Sequence, residues 1–269
     1  MLCGYRAALV LAALAAGRGL SAQTEARAVR YSATQLNCAR FLETAESKIL
    51  TESGGRGREQ ASGRRGVWQF RAKSSNDDLT LEGWLDSLAL WRRFDETTIS
   101  PDTDGLVGGR YRGTLSQEGT YSSHVRPFVP DEVREVAGMS TALDDFFPPL
   151  PARSLRPGEA WRSPGMIIRR LPDSAMSGVP LLRFELETRG RSANARIEGD
   201  TLPVKLRQTS QERGTFVWHP LLGLVRRERR ILVETNIPAS QSVRQAVRSK
   251  IEQRITVVRD LTQVGSCAQ

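Results

Sequence analysis

The chain has 269 residues, of which 39% are hydrophobic and 26% charged, with a formal net charge of +9 at pH 7; this balance lies near the globular average and excludes wholesale disorder. No run approaches the ~18 consecutive apolar residues of a membrane-spanning helix. The three cysteines are too few for a disulfide-stapled miniature scaffold, and the two histidines, His124 and His219, leave little for His-rich metal chemistry.

The N-terminal segment reads as an export signal. Arg6 supplies the positive charge, Ala7 to Ala16 (AALVLAALAA) form a short apolar run, and the small residues that follow place a cut after Ala22. Residues 1–22 are therefore expected to be a signal peptide, with a periplasmic or extracellular destination and no transmembrane segment after processing. Cys3 precedes the apolar run, which disfavours a lipid anchor. Processing leaves Cys38 and Cys267, one near each end. In an oxidising compartment such a pair reads as a disulfide, stabilising by about 4–5 kcal/mol for so long a loop; the alternative is two independent thiols.

Cys38 to Thr51 places Ala39, Phe41, Ala45 and Ile49 on one alternating face, although helical spacing fits the run nearly as well; the turn cluster Gly54-Gly55-Arg56-Gly57 that follows favours a hairpin. Gly66 to Ala72 (GVWQFRA) and Leu79 to Trp91 are further strand candidates, separated by Ser74-Ser75-Asn76-Asp77-Asp78. Asp102-Thr103-Asp104-Gly105 reads as a turn before strands over Leu106 to Leu115 and Thr120 to Phe128. Strands recurring this often with Gly and Asp punctuation predict an antiparallel β architecture.

One segment departs from this rhythm. Asp131 can cap a helix whose apolar positions run through Val133, Val136, Ala137 and Leu143 to Phe146, and Pro148-Pro149-Leu150-Pro151 stops it. This helix is expected to join an N-terminal β module (23–147) to a C-terminal one (148–269), unless the two form one continuous domain. The second stretch offers strands over Met166 to Arg170, Val179 to Glu187, Thr201 to Glu212, Thr215 to Trp218, Leu222 to Glu234 and Ser242 to Val258. In the last, Val243, Val247, Ile251 and Ile255 fit either period, and β-branched content favours a strand.

Charge is uneven. Residues 23–151 carry 16 basic and 19 acidic side chains, whereas residues 152–269 carry 21 and 11. The densest cluster, Arg226, Arg227, Arg229 and Arg230, is a candidate anion-binding patch for an acidic envelope polymer. The competing reading is a solvated strand surface whose arginines pair with neighbouring acids. For an exported chain, nucleic acid is not an expected partner.

The search for chemistry is mostly negative. The sequence has no G-x-S-x-G, H-E-x-x-H, C-x-x-C or phosphate-binding G-x-x-x-x-G-K-[ST] pattern. Asp102 to Gly105 begins like a calcium loop, but Gly113 stands where its closing glutamate belongs. Neither metal nor cofactor is implied. Hydrolase chemistry at His124 or His219 would need partners that the spacing does not identify. Trp68, Trp84, Trp91, Trp161 and Trp218 are more informative. Inward-facing aromatics fill a core or, if the sheet curls into an open half-barrel, line a ligand cavity.

Two passages carry a resemblance. Gly83-Trp84-Leu85-Asp86-Ser87-Leu88 precedes Asp104-Gly105 and Gly109-Arg110-Tyr111. Phe147-Pro148-Pro149-Leu150-Pro151 then precedes Leu155-Arg156-Pro157-Gly158-Glu159-Ala160-Trp161. Across roughly residues 66–235 the pattern resembles exported bacterial β-rich proteins of unknown function. The resemblance implies a lipoprotein-carrier-like fold, a strongly curved antiparallel sheet or half-barrel with a helix beside it. It implies no catalytic residues. The expectation is thus a mainly β, exported, non-enzymatic protein that binds a lipid or another apolar or amphipathic ligand, or a protein partner. The alternative is a contact with anionic envelope polymers through the basic C-terminal half.

Overall fold

The computed structural model describes residues 28–193, 206–239 and 244–262. The proposed signal peptide and Cys267 lie outside the described residues. After a single-turn helix α1 (Ala33–Leu36), the chain enters β1 (Arg40–Ser53), β2 (Arg56–Ser75) and β3 (Asp78–Phe94). These long strands are followed by β4 (Thr97–Ile99), β5 (Tyr111–Ser116) and β6 (Tyr121–Val125). A short helix α2 (Asp131–Val136) and a 3-10 turn at Met139–Thr141 open an irregular crossing segment. The remaining strands are β7 (Ala160–Ser163), β8 (Met166–Met176), β9 (Val179–Ala193), β10 (Arg207–His219), β11 (Gly223–Ile237) and β12 (Val247–Arg259).

All twelve strands form one open, curved antiparallel sheet in the order β6-β5-β3-β2-β1-β12-β11-β10-β9-β8-β7, with β4 on the side of β3. Hairpins build most of it, since antiparallel neighbours need only a tight turn between them. The seam between the two stretches of sequence is β1 against β12, which runs in register from Phe41 opposite Arg259 to Ser53 opposite Val247. The sheet therefore continues unbroken from the first stretch into the second.

Alternation along each strand decides what is buried. The inner face carries Phe41, Trp68, Phe70, Leu81, Phe184, Phe216, Trp218 and Val257, all nearly inaccessible to solvent. It is covered by the crossing segment and by the chain around Val29, Tyr31 and Leu36. Phe146 sits among the rings of Phe41, Trp68, Phe70 and Phe147 at 5.1–5.8 Å, mostly edge to face. Each such pair adds about 0.5–1.5 kcal/mol beyond its buried area. Tyr31 bridges Phe147 and Trp218, and its hydroxyl donates to the Pro148 carbonyl at 3.1 Å. The Tyr111 hydroxyl likewise donates to the Met139 carbonyl at 2.8 Å. Burial pushes the ionisation of both phenols far upward, so they remain donors.

The crossing segment corrects the sequence expectation. Helix α2 ends at Val136, because Ala137 is extended and Gly138 leaves the helical region. Asp131 lies in the first turn and pairs with Arg134 at 2.9 Å, while Pro130 occupies the cap position. So short a helix has little stability of its own. Met139, Leu143, Phe146, Phe147 and Leu150 instead take the geometry that fits the sheet beneath them.

Smaller corrections concern strand ends. Residues 106–109 form a turn, with Gly108 at φ 78°, so β5 begins only at Tyr111. Pro172 and Asp173 make a bulge inside β8, and the hairpin turns at Ser177-Gly178. The ambiguous last segment is a strand from Val247. Gly158 has φ 87° and turns the chain into β7, which Trp161 enters.

Candidate functional site

The crossing segment covers only part of the inner face. Beyond its edge the strands continue, and two adjoining cavities open where the segment meets the uncovered sheet. The first, of about 200 Å3, is polar: Glu43, Arg64, Arg227, Arg229 and Gln253 line it beneath Phe146. The second, of about 210 Å3, is largely apolar and is lined by Ala45, Ile49, Val136, Ala137 and Ile251, with Ser47 and Ser62. Arg64, Gly138 and Gln253 belong to both walls. Together they make one amphipathic trough.

The strands explain these neighbours. Ile49 faces Ile251 across β1 and β12, and Ile251 faces Val233 of β11. These side chains share the inner face with the core but lie past its cover, and all three are half-buried. At Gly63 any side chain would meet the Trp91 indole at 2.5 Å. Glycine at that position lets the indole lie across the outer face of β2, on the side of the sheet away from the cavity.

The polar cavity is built from inward-pointing charges. Glu43 accepts from Arg64 Nη2 at 2.6 Å and from Trp68 Nε1–H at 2.8 Å. Arg227 donates to the Asp145 and Phe146 carbonyls and, at 3.1 Å, to Glu212 Oε1. Arg229 donates to the Asp145 carbonyl at 2.9 Å and to Glu212 Oε2 at 2.7 Å. Burial, with Arg229 close by, lowers the Arg227 pKa to about 10. The guanidinium remains charged at neutral pH, in an environment that disfavours further positive charge. Nε of Arg64 and Nε of Arg229 are both buried without a hydrogen-bond partner.

The four candidate anion-binding arginines do not form one patch, because consecutive strand residues face opposite ways. Arg227 and Arg229 turn inward and are buried, while Arg226 and Arg230 turn outward and are exposed. Arg226 pairs with Glu228 through Nε at 2.7 Å. Arg230 joins Arg213 and Arg254, directly opposite it on the neighbouring strands, along an outer cleft of about 340 Å3.

The five tryptophans are scattered. Trp68 and Trp218 are fully enclosed in the core. Trp84 lies under the Arg110 guanidinium at 3.9 Å and donates to Asp86 at 3.0 Å. Trp91 and Trp161 are half-buried, the latter against the core. None of the five lines either inner-face cavity. His124 is exposed on β6. His219 is buried at the β10–β11 turn, where its Nδ1 accepts from the Leu221 and Leu222 N–H groups. Among the described residues, no three His, Cys, Asp or Glu side chains gather as a metal site would require, and no helix is long and apolar enough to cross a membrane.

Glu43, Arg64 and Glu212 were not singled out from the sequence. Their signal was available, since Glu43 falls between Phe41 and Ala45 on the apolar side of an alternating strand. A charge in such a place must be paired or functional.

No protein-family model and no curated protein matches the chain. Solved structures similar to it include lipovitellin, a structure concerned with that protein's lipid–protein interactions, at TM-score 0.44 and 10% identity over 87% of this chain. The chain spans 26% of the lipovitellin chain's length. A DUF1329 family protein from Desulfovibrio piger is similar at TM-score 0.17 and 8% identity, covering 84% of this chain and 88% of that one. Pseudomonas aeruginosa OccK2 in complex with glucuronate gives TM-score 0.21 and 11% identity over 82% of this chain and 97% of that one.

Proposed function

We propose that this chain is an exported, non-enzymatic binding protein that holds an apolar or amphipathic ligand in the inner-face trough. The observation that carries this reading is the apolar cavity formed by Ala45, Ile49, Val136, Ala137 and Ile251 beside the sealed core. Concave sites lined by apolar groups with a few polar ones are the usual form of small-ligand pockets. The resemblance to carrier-type curved sheets agrees with it. Titration of the mature protein with the neutral fluorescent probe N-phenyl-1-naphthylamine tests the reading. Saturable binding that Ile251→Arg abolishes and that dodecyl maltoside displaces is expected. Absence of saturable binding overturns it.

The same reading requires export. The mature chain then begins at Gln23, and Cys38 is bridged to Cys267. N-terminal sequencing and intact mass of protein recovered from the periplasm or medium, before and after reduction, test both points.

A second reading is favoured by the outward arginine row. Arg213, Arg230 and Arg254 stand directly opposite one another across three strands; Glu187, 3.7 Å from Arg213, answers one of them, and like charges that go unrelieved in such a row cost stability. An acidic envelope polymer along the outer face would relieve it. Salt-sensitive retention on heparin that Arg230→Glu weakens supports this reading, and equal retention of the variant rejects it.

A further inference from the structure

Buried arginine side chains concentrate around the polar cavity. Three guanidinium groups line it, those of Arg64, Arg227 and Arg229. Two buried carboxylates answer them, and each is already committed: Glu43 to Arg64 and the Trp68 indole, Glu212 to Arg227 and Arg229. The third acid nearby, Asp145, has a side chain 80% exposed and stands 3.8 Å from Arg229. Asp145 also lines the cavity, so the acids match the guanidinium groups in number, but its exposed carboxylate answers Arg229 only through a solvent-screened contact.

Two donors are left, the buried Nε–H groups of Arg64 and Arg229. An orphaned donor on a buried charged group keeps its full desolvation penalty, so a structure that keeps two beside one cavity leaves something for a ligand to satisfy. Register sets them on either side. Arg64, Ala45, Ile255 and Arg229 are successive partners across β2, β1, β12 and β11. Ala45 and Ile255 form an apolar floor between the two arginines, and Ala142 and Phe146 of the crossing segment close over it. The apolar cavity adjoins through Arg64 and Gln253.

From this layout we infer that Arg64 and Arg229 form an anion site for a phosphate or carboxylate group, the head of an amphiphile whose chain lies along Ala45, Ile49 and Ile251. The inference rests on the binding role proposed above and adds the headgroup chemistry. Arginine suits the task because its planar fork meets phosphate and carboxylate oxygens with directed, charge-assisted hydrogen bonds. Gln253 adds an amide at the junction of head and chain. The low dielectric of the cavity strengthens the attraction and disfavours a neutral head, which would give the two Nε–H donors no charged acceptor.

Calorimetric titration of the mature protein with dodecyl phosphate, dodecyl maltoside and inorganic phosphate, each below its micelle concentration where it has one, tests the inference. Dodecyl phosphate is expected to bind about tenfold or more tighter than dodecyl maltoside, the range of one charge-assisted hydrogen bond. Arg229→Gln and Arg64→Gln should each lower dodecyl phosphate binding to the level of dodecyl maltoside measured on the same variant, and Arg229→Lys, which keeps the charge without Nε–H, should restore part of the preference. Equal affinity for the two amphiphiles in the wild-type protein overturns the anion site and leaves the apolar binding role standing. A preference that survives both glutamine variants overturns the assignment to these arginines. Binding of inorganic phosphate alone, lost in Arg229→Gln, means the cavity serves a free anion and the amphiphile reading fails. If neither amphiphile nor phosphate binds, both readings fail. Should Arg229→Gln not fold, the wild-type comparison and Arg64→Gln decide the matter.

Discussion

Replacing Glu43 with alanine removes the carboxylate that holds two buried donors, Arg64 Nη2 at 2.6 Å and the Trp68 indole N–H at 2.8 Å. Hydrogen bonds to a charged group contribute about 1.5–3 kcal/mol each. Breaking a buried ion pair from one side costs about 3–5 kcal/mol, because the survivor keeps its charge without an answer. The Glu43 and Arg64 side chains are 4% and 13% exposed. Some solvent thus reaches the guanidinium, and we expect a loss near the lower end, about 3 kcal/mol. The double variant Glu43→Leu, Arg64→Met removes both charges together and leaves only the indole N–H unpaired, so its loss should be about 1–2 kcal/mol. Urea unfolding followed by both tryptophan fluorescence and circular dichroism measures the two values. If the single variant loses less than about 1 kcal/mol, the level of an exposed pair, the pair is not the buried one described. A double variant no more stable than the single one would show that the stranded charge is not what the substitution costs.

Three further outcomes follow from the same geometry. Phe146→Ala empties the ring cluster under the crossing segment and should cost about 3–5 kcal/mol in urea unfolding; a loss within about 0.5 kcal/mol, typical of surface positions, would mean the segment does not seal the core. Gly113→Ala sets a methyl 2.2 Å from the Ser122 carbonyl oxygen, which is backbone and cannot swing aside, so a destabilisation of about 1–3 kcal/mol is expected from overpacking, with unchanged thermal stability as the contrary result. Burial, aided by the charge of Arg259, lowers the His219 pKa in the folded state. The unfolded chain then takes up the proton first. Stability should be level above the ordinary histidine value of about 6.5 and fall as the pH drops through it toward the lowered folded value. His219→Asn keeps an acceptor for the Leu221 and Leu222 N–H groups and should flatten that part of the profile; an unaltered profile in the variant would assign the dependence elsewhere.

The strands were legible because alternation is a local property. Phe41, Ala45 and Ile49 mark one face of β1 without reference to any partner, and the glycines at positions 54 and 55 mark its turn. The antiparallel class followed from short, punctuated connections. Strand length was less legible: β2 runs from Arg56, although residues 56–63 carry almost no apolar pattern. Pairing with β1 extends that strand, and pairing is a property of the neighbour.

The site was less visible still. Alternation alone says that Arg227 and Arg229 face one way and Arg226 and Arg230 the other, but both pairs read as solvated until something covers one of them. The cover is the crossing segment, whose Asp145 and Phe146 carbonyls lie more than eighty positions away in the chain. The expected long helix at that segment failed for the same reason, since its apolar residues fit a sheet surface as well as a helical stripe and Gly138 lets the surface prevail. Sequence determined the ribbons, their faces and their turns, which depend on residues a few positions apart. Tertiary structure alone decided which charges are buried and where the cover stops, because burial belongs to surfaces that meet only after the chain has folded.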